Sequence, residues 1–224
     1  MYSKFELLYL VSILDYYEEG LVKIIKYYIN NYTFKYIFKK DKQNNLKDIV
    51  NFNYISMFPN VKKLNKDDYG HISYWDVSNI TDMTYLFLNK HTFKDNISRW
   101  DVSNVTDMSN MFSNTQNFNQ PVGNWNVSKV RNMCHMFDNA HRFNQPLDNW
   151  DVSKVIHMTY MFSYAKSFNQ PIGKWNVTNV ITMKCMFQGT KCFNQDLNNW
   201  DVSDETNIEG IFNKSIMSPN HFKK

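Results

Sequence analysis

Hydrophobic positions repeat with a fixed period of 25 residues over most of the chain. All tryptophans lie on this period, at Trp75, Trp100, Trp125, Trp150, Trp175 and Trp200. A valine follows each tryptophan by two residues, and a methionine follows it by eight in every copy except the last. A constant period of roughly 20 to 50 residues is typical of proteins whose repeats bury their apolar sides against one another. The pattern therefore predicts a stack of about six repeats.

Two phenylalanine series share the same period. The first is Phe87, Phe112, Phe137, Phe162, Phe187 and Phe212, and the second is Phe93, Phe118, Phe143, Phe168 and Phe193. We interpret both series as hydrophobic core rather than as a cofactor site, because every copy of a stacked repeat needs its own apolar core residues.

The spacing inside each copy predicts its local structure. Trp150 and Val152 are two residues apart and would share the inner side of a short strand. Residues 158, 161 and 162 are apolar, which is the i, i+3, i+4 spacing of a helical turn. We therefore expect an α/β repeat fold, a leucine-rich-type solenoid with short parallel strands and short convex helical turns. Asn169 and Gln170 are expected to bridge to backbone groups that a tight coil leaves unpaired.

The first part of the chain has a different pattern. Residues 4–19 open with a capping box and continue with apolar residues at helical spacing, and a second helix is predicted up to about Asn30. The predicted organisation is a helical N-terminal cap over 1–45, an entry segment over 46–69, six repeats over 70–213 and a tail over 214–224. Asp204 and Glu205 replace Lys154 and Val155 of an earlier copy, which fits a polar C-terminal end.

Composition narrows the possible functions. The net charge of +4 is modest and the cations are scattered along the sequence, so we expect no nucleic-acid partner. Cys134, Cys185 and Cys192 are out of register with the repeat, and neither disulfides, a metal nor another cofactor is expected. Because we see no basic leader and no apolar run of ~20 residues, we expect no membrane insertion and a cytoplasmic location.

The string over residues 143–155, FNQPLDNWDVSKV, is followed by Met158 and by Met161-Phe162. This pattern resembles the BspA-type leucine-rich repeat family over about residues 70–213. These repeats occur in surface lipoproteins of wall-less bacteria and in large DNA viruses, so the cytoplasm would be a host's if the chain is viral. The resemblance implies a solenoid for protein interaction or adhesion, with no catalytic residues. The chain departs from the surface members in lacking a lipoprotein signal.

Residues 8–38, and 11–24 in particular, resemble an F-box, although the Leu-Pro opening of that family is missing. The resemblance implies a ubiquitin-ligase adaptor whose repeats would receive the substrate. The alternative is that these residues form only the helical cap.

Three exposed rows follow from the alternation around each tryptophan, and we expect them on the concave face. The row directly after tryptophan alternates Asp and Asn from the second copy onward and includes Asp101 and Asp151. A row of serine and threonine comes two residues later, without an aligned base, so we expect no enzyme. The row directly before tryptophan varies, and its Tyr74, Arg99 and Lys174 are our candidate anchors for a partner.

The predicted function is a non-enzymatic protein-interaction module that binds a protein of unknown identity and is itself a monomer. The alternatives are an F-box-like adaptor of a ubiquitin ligase and a surface adhesin.

Overall fold

A computed structural model describes residues 72–217. The predicted helical cap over 1–45, its F-box interpretation and the entry segment over 46–69 lie outside the described residues. Within 72–217 the only helix is a short 3-10 helix, Ile72–Tyr74, and no continuous strand is present. The chain instead forms stacked coils of turns, which we number 1 to 6 from the tryptophan that opens each one. The prediction of an α/β leucine-rich-type repeat is therefore wrong.

The strand expected at each tryptophan is replaced by a turn. In coil 2 the Asp101 side chain accepts a hydrogen bond from the Ser103 amide at 3.0 Å, and the Val105 amide donates to the Val102 carbonyl at 2.9 Å. These bonds bend the chain directly after Trp100, so it cannot extend into a strand. Single parallel bridges between coils occur farther along, at Asp82–Asp107, Asp107–Asn132, Asn132–His157, His157–Thr182 and Thr182–Asn207.

The convex helical turn is also absent. In coil 4 the Met161 amide donates to the Met158 carbonyl at 3.1 Å, which closes a turn of four residues. Tyr160 has a φ of 56° and Tyr164 one of 51°, in the left-handed region where a right-handed helix cannot continue. A positive φ at the third residue is the mark of a type II turn. Such turns also place residues 158, 161 and 162 on the inside, so the apolar spacing did not distinguish them from a helix.

The left-handed residues recur at two positions in each coil. They are Tyr85, Asn110, His135, Tyr160, Cys185 and Gly210 at the first position, and Asn89, Asn114, Asn139, Tyr164, Gly189 and Lys214 at the second.

Hydrogen bonds between coils run mainly in one direction. Four amides of coil 4 donate to carbonyls of coil 5 at N–O distances of 2.7–2.9 Å: Met158 to Thr182, Tyr160 to Lys184, Phe162 to Met186 and Tyr164 to Gln188. Among the backbone bonds between these two coils one returns, from the Ile181 amide to the Ile156 carbonyl at 3.0 Å. Each inner coil is thus a donor to the next coil and an acceptor from the previous one.

The predicted core is confirmed. The tryptophans and the valines after them are at most 8% exposed, and ten of the phenylalanines are fully buried. Rings of the first phenylalanine series follow one another at 5.5–5.9 Å between centroids, and those of the second at 5.6–6.0 Å. Within a coil the two series meet at 3.9–4.2 Å. Both series therefore form continuous stacks along the molecule.

The predicted bridging by asparagine and glutamine is confirmed as well. The Asn169 backbone N–H donates to the Asn144 side-chain Oδ1 at 2.9 Å, and the Gln170 side-chain Nε2 donates to the same oxygen at 2.9 Å. The next coil repeats the arrangement with Asn194 and Gln195 on Asn169. The turn that precedes each tryptophan is thereby attached to the previous coil.

Candidate protein-binding rows

Each tryptophan fixes the residue in front of it. The Trp150 indole N–H donates to the Val122 carbonyl, in the turn just before Trp125, at 3.0 Å, and the Trp175 indole N–H donates to the Leu147 carbonyl, in the turn just before Trp150, at 3.0 Å. Because the ring is buried and held from behind, the preceding residue projects outward. We call these six residues the anchor row. They are Tyr74, Arg99, Asn124, Asn149, Lys174 and Asn199, and all six are exposed.

Two of the predicted anchors lie together. Tyr74 is 75% exposed, and the Arg99 guanidinium carbon lies 6.0 Å from the centroid of its ring. At an exposed site such a cation–π contact contributes about 0.5–1 kcal/mol. The pair presents a flat aromatic face and a cation at one end of the row.

Lys174 is exposed but stands apart from that pair. Three coils separate it from Arg99, which is about 14 Å at ~4.8 Å per coil. The structure therefore does not unite the three predicted anchors in one pocket. They occupy equivalent positions in the repeat, which suits an elongated contact.

The Asx row, one position after each tryptophan, is also exposed. It consists of Asp76, Asp101, Asn126, Asp151, Asn176 and Asp201. Hydrogen bonds from the Ser103 hydroxyl and amide lower the pKa of Asp101, and the corresponding bonds from Ser153 lower the pKa of Asp151. Both carboxylates are therefore ionised at neutral pH. They close the turn through these hydrogen bonds and also place negative charges on the surface.

Two positions after the Asx row comes a row of hydroxyl side chains that supports it. We call this the hydroxyl row, and it consists of Ser78, Ser103, Ser128, Ser153, Thr178 and Ser203. The Ser78 Oγ donates to the Asp76 Oδ1 at 2.7 Å, and the Thr178 Oγ1 donates to the Asn176 Oδ1 at 2.7 Å. These hydroxyls close turns, and this local bonding accounts for their recurrence in the repeat.

Three exposed apolar residues were missed among the candidates. Tyr85 and Ile181 are each 56% exposed, and Ile216 is 59% exposed. The signal was present in the sequence, because Tyr85 stands where coil 2 has Asn110 and Ile181 stands where it has Thr106. A comparison of equivalent positions would have singled them out.

Cys134 and His135, adjacent residues of types that can bind a metal, have local surroundings that explain them without one. The His135 Nδ1 lies 3.1 Å from the Asp138 Oδ2, and its ring stacks on Tyr160 with centroids 4.8 Å apart. Burial raises the pKa of the Cys134 thiol. Within residues 72–217 no three His, Cys, Asp or Glu side chains are grouped to hold a metal ion. No helix in this same range has the length and apolar character needed to cross a membrane.

The family follows from the repeat itself. A family model described as "Mycoplasma protein of unknown function, DUF285" matches residues 52–166 and again residues 121–222. The chain belongs to the DUF285 family. This is a repeat family related to BspA-like repeats, which confirms the resemblance at the level of the family. The DUF285 match begins at residue 52, beyond the F-box-like segment, and that interpretation stays a prediction.

Comparison with curated proteins and with solved structures gave no match.

Proposed function

We propose that this DUF285 chain is a non-enzymatic protein-interaction module that binds its partner along the anchor row. The observation that carries the proposal is the Tyr74–Arg99 pair, in which a 75% exposed ring lies against a guanidinium. Tyrosine and arginine are among the residues that contribute most to protein interfaces.

The backbone beneath the row supports the same function. The Trp100 and Trp125 indole N–H groups each donate to a carbonyl in the turn before the preceding tryptophan, Ile72 at 2.9 Å and Ile97 at 3.3 Å. The row is therefore held in place before a partner arrives, so little backbone entropy is lost on binding. Such preorganisation favours a binding surface built on stacked coils.

Charges of both signs along the anchor row and the Asx row would fix the position of a charged partner along the stack. Arg99 and Lys174 are cations of the anchor row, and Asp101 and Asp151 are anions of the Asx row next to it. A partner that presents carboxylates to the first pair and amines to the second would be aligned along the stack. Charge pairs of this kind contribute to specificity and to the association rate more than to affinity.

The test compares two triple variants in an affinity purification from the native cell. Tyr74→Ala, Arg99→Ala and Lys174→Ala remove the anchors, and Asn124→Ala, Asn149→Ala and Asn199→Ala change the same number of residues in the same row. We expect recovery of the partner to fall at least about tenfold with the first variant and to persist with the second. Equal recovery with both variants would show that the anchor row is not the binding surface.

The adaptor and adhesin alternatives stay predictions, as does the cytoplasmic location. Recovery of an Skp-type adaptor that depends on residues 1–40 would favour the F-box interpretation, and its failure where a genuine F-box binds would exclude it.

A further inference from the structure

A second row of cations becomes visible when the coils are superposed. Arg142, Lys166 and Lys191 lie in coils 3, 4 and 5, and all three are exposed. Each lies in the corner of its coil, the four residues just before the phenylalanine of the second series. They are far apart in the sequence and successive in the stack, which is why the cations seemed scattered along the chain. We call these three residues the basic row.

Backbone hydrogen bonds to the previous coil hold this corner in coils 3 and 4. The Arg142 amide donates to the Gln116 carbonyl at 3.2 Å, and the Ser167 amide donates to the His141 carbonyl at 3.1 Å. Successive coils are about 4.8 Å apart, so the three cations occupy about 10 Å of the stack. Like charges at this separation repel one another, and a nearby opposite charge would offset that repulsion.

That opposite charge is missing from the corner. The six equivalent segments, 89–92, 114–117, 139–142, 164–167, 189–192 and 214–217, contain five Lys or Arg and no Asp or Glu. None of the three side chains of the basic row pairs with a carboxylate among the residues that the structure describes. Asp138, at the edge of the corner, lies against His135. Burial lowers the pKa of His141, and the charge of Lys166 lowers it further, as expected in a positive surrounding.

We propose that the basic row docks an extended acidic segment of a protein partner, with its backbone running along the stack. Alternate residues of an extended segment face the same side and are about 6.6–6.8 Å apart. Two or three such carboxylates would span the row. The carboxylates would be farther apart than successive coils, but Lys and Arg side chains are long enough to reach them.

The surroundings favour a peptide over other polyanions. The one Tyr, Phe or Trp in the six segments is Tyr164, which is half-buried with its ring against Gly189, whereas single-stranded nucleic acids stack their bases on accessible aromatic rings. The row is also a single file, whereas recognition of an anionic membrane usually involves about 4–8 clustered basic residues. This surface is separate from the anchor row, so the inference does not depend on the function proposed above.

The experiment uses the full chain and a labelled peptide of about ten residues that alternates Asp and Thr, with an Asn-Thr peptide as the neutral control. The variant Arg142→Glu, Lys166→Glu, Lys191→Glu reverses the basic row. The matched control, Lys129→Glu, Arg131→Glu, Lys154→Glu, makes the same change of net charge on another surface of coils 3 and 4. Thermal unfolding of both variants establishes that they fold.

We expect the acidic peptide to bind the wild type, to bind the matched control within about threefold, and to lose about tenfold or more in affinity for the reversed row. The Asn-Thr peptide should not bind. Equal losses with both variants, or no binding of the acidic peptide, would overturn the proposal. So would a DNA oligonucleotide or phosphatidylserine vesicles that bind more tightly than the peptide and depend on the same three side chains.

Discussion

Single residues decide how closely two coils approach. At the second left-handed position coil 4 has Tyr164 and coil 5 has Gly189, and the tyrosine ring lies over the glycine. The Gln188 Nε2 holds the ring by donating to the Tyr164 hydroxyl oxygen at 3.3 Å. Tyr164 is a bulky residue with a positive φ, which is an unfavourable backbone conformation. Its ring occupies the space that a side chain at position 189 would take, and the glycine leaves that space open.

Gly189→Ala tests this contact. A methyl group at this position would lie 2.5 Å from the Tyr164 Cδ1, and the φ of 66° is unfavourable for alanine. We expect the free energy of unfolding to fall by about 1–3 kcal/mol in urea denaturation. In a Tyr164→Ala background only the backbone strain remains, so the loss should be smaller. The same loss in both backgrounds would show that the ring does not fill this space.

The sequence predicted which residues are buried better than it predicted the backbone that buries them. Met158, Met161 and Phe162 are inside, as their spacing required. Their spacing fits a helical turn and a pair of type II turns equally well. The difference lies in the φ of Tyr160, and tyrosine carries no preference for the left-handed region that would have revealed it.

At the scale of the element, the turn after each of the first five tryptophans depends on the Asx side chain. Asp101 and Asp151 accept from Ser103 and Ser153, and Asn126 accepts from the Ser128 amide at 3.2 Å in the same way. The alternation of Trp, polar residue and Val suggested a strand, but a local side-chain acceptor was available at the middle position. Local bonds of this type compete with strand pairing.

The two aspartates give this turn a pH dependence. Their hydrogen bonds lower the pKa of both carboxyls in the folded protein below the unfolded value of about 3.9. A group with a lowered folded pKa stabilises the fold above its unfolded pKa, and that contribution is lost as the pH falls through the folded pKa. We therefore expect Asp101→Asn with Asp151→Asn to be less stable than wild type at pH ~7, with the difference shrinking below pH ~4.

Urea denaturation at about pH 7 and about pH 3 measures this difference. The control is Asn126→Ala with Asn176→Ala, because asparagine does not titrate and its loss should weaken the fold equally at both values. A wild-type advantage over the aspartate variant that is unchanged in acid would contradict the assigned role.

At the scale of the molecule, the exposed rows are by-products of stacking. The anchor row could be predicted from the sequence because an exposed position must flank each buried tryptophan. The basic row could not, because its members are neighbours only after the coils are aligned. Arg142 also lies one position later in its coil than Lys166 and Lys191 do in theirs, which conceals the register.

The stack has a direction, and coil 6 shows its consequence. The amides of Met183, Cys185 and Gly189 in coil 5 donate to carbonyls of coil 6. The equivalent amides of coil 6, Ile208, Gly210 and Lys214, have no acceptor in the part of the chain that the structure describes. Glu205 is exposed where Val155 is buried in coil 4, so this end also has a polar rim.

Amide hydrogen exchange at these matched positions tests the central claim that coils are joined by bonds running from each coil to the next. We predict that the amides of Met183, Cys185 and Gly189 exchange slowly, because opening them requires separation of two coils. The amides of Ile208, Gly210 and Lys214 should exchange close to the rate of an unstructured chain. Equal protection in the two coils, or fast exchange in both, would contradict this account of the fold.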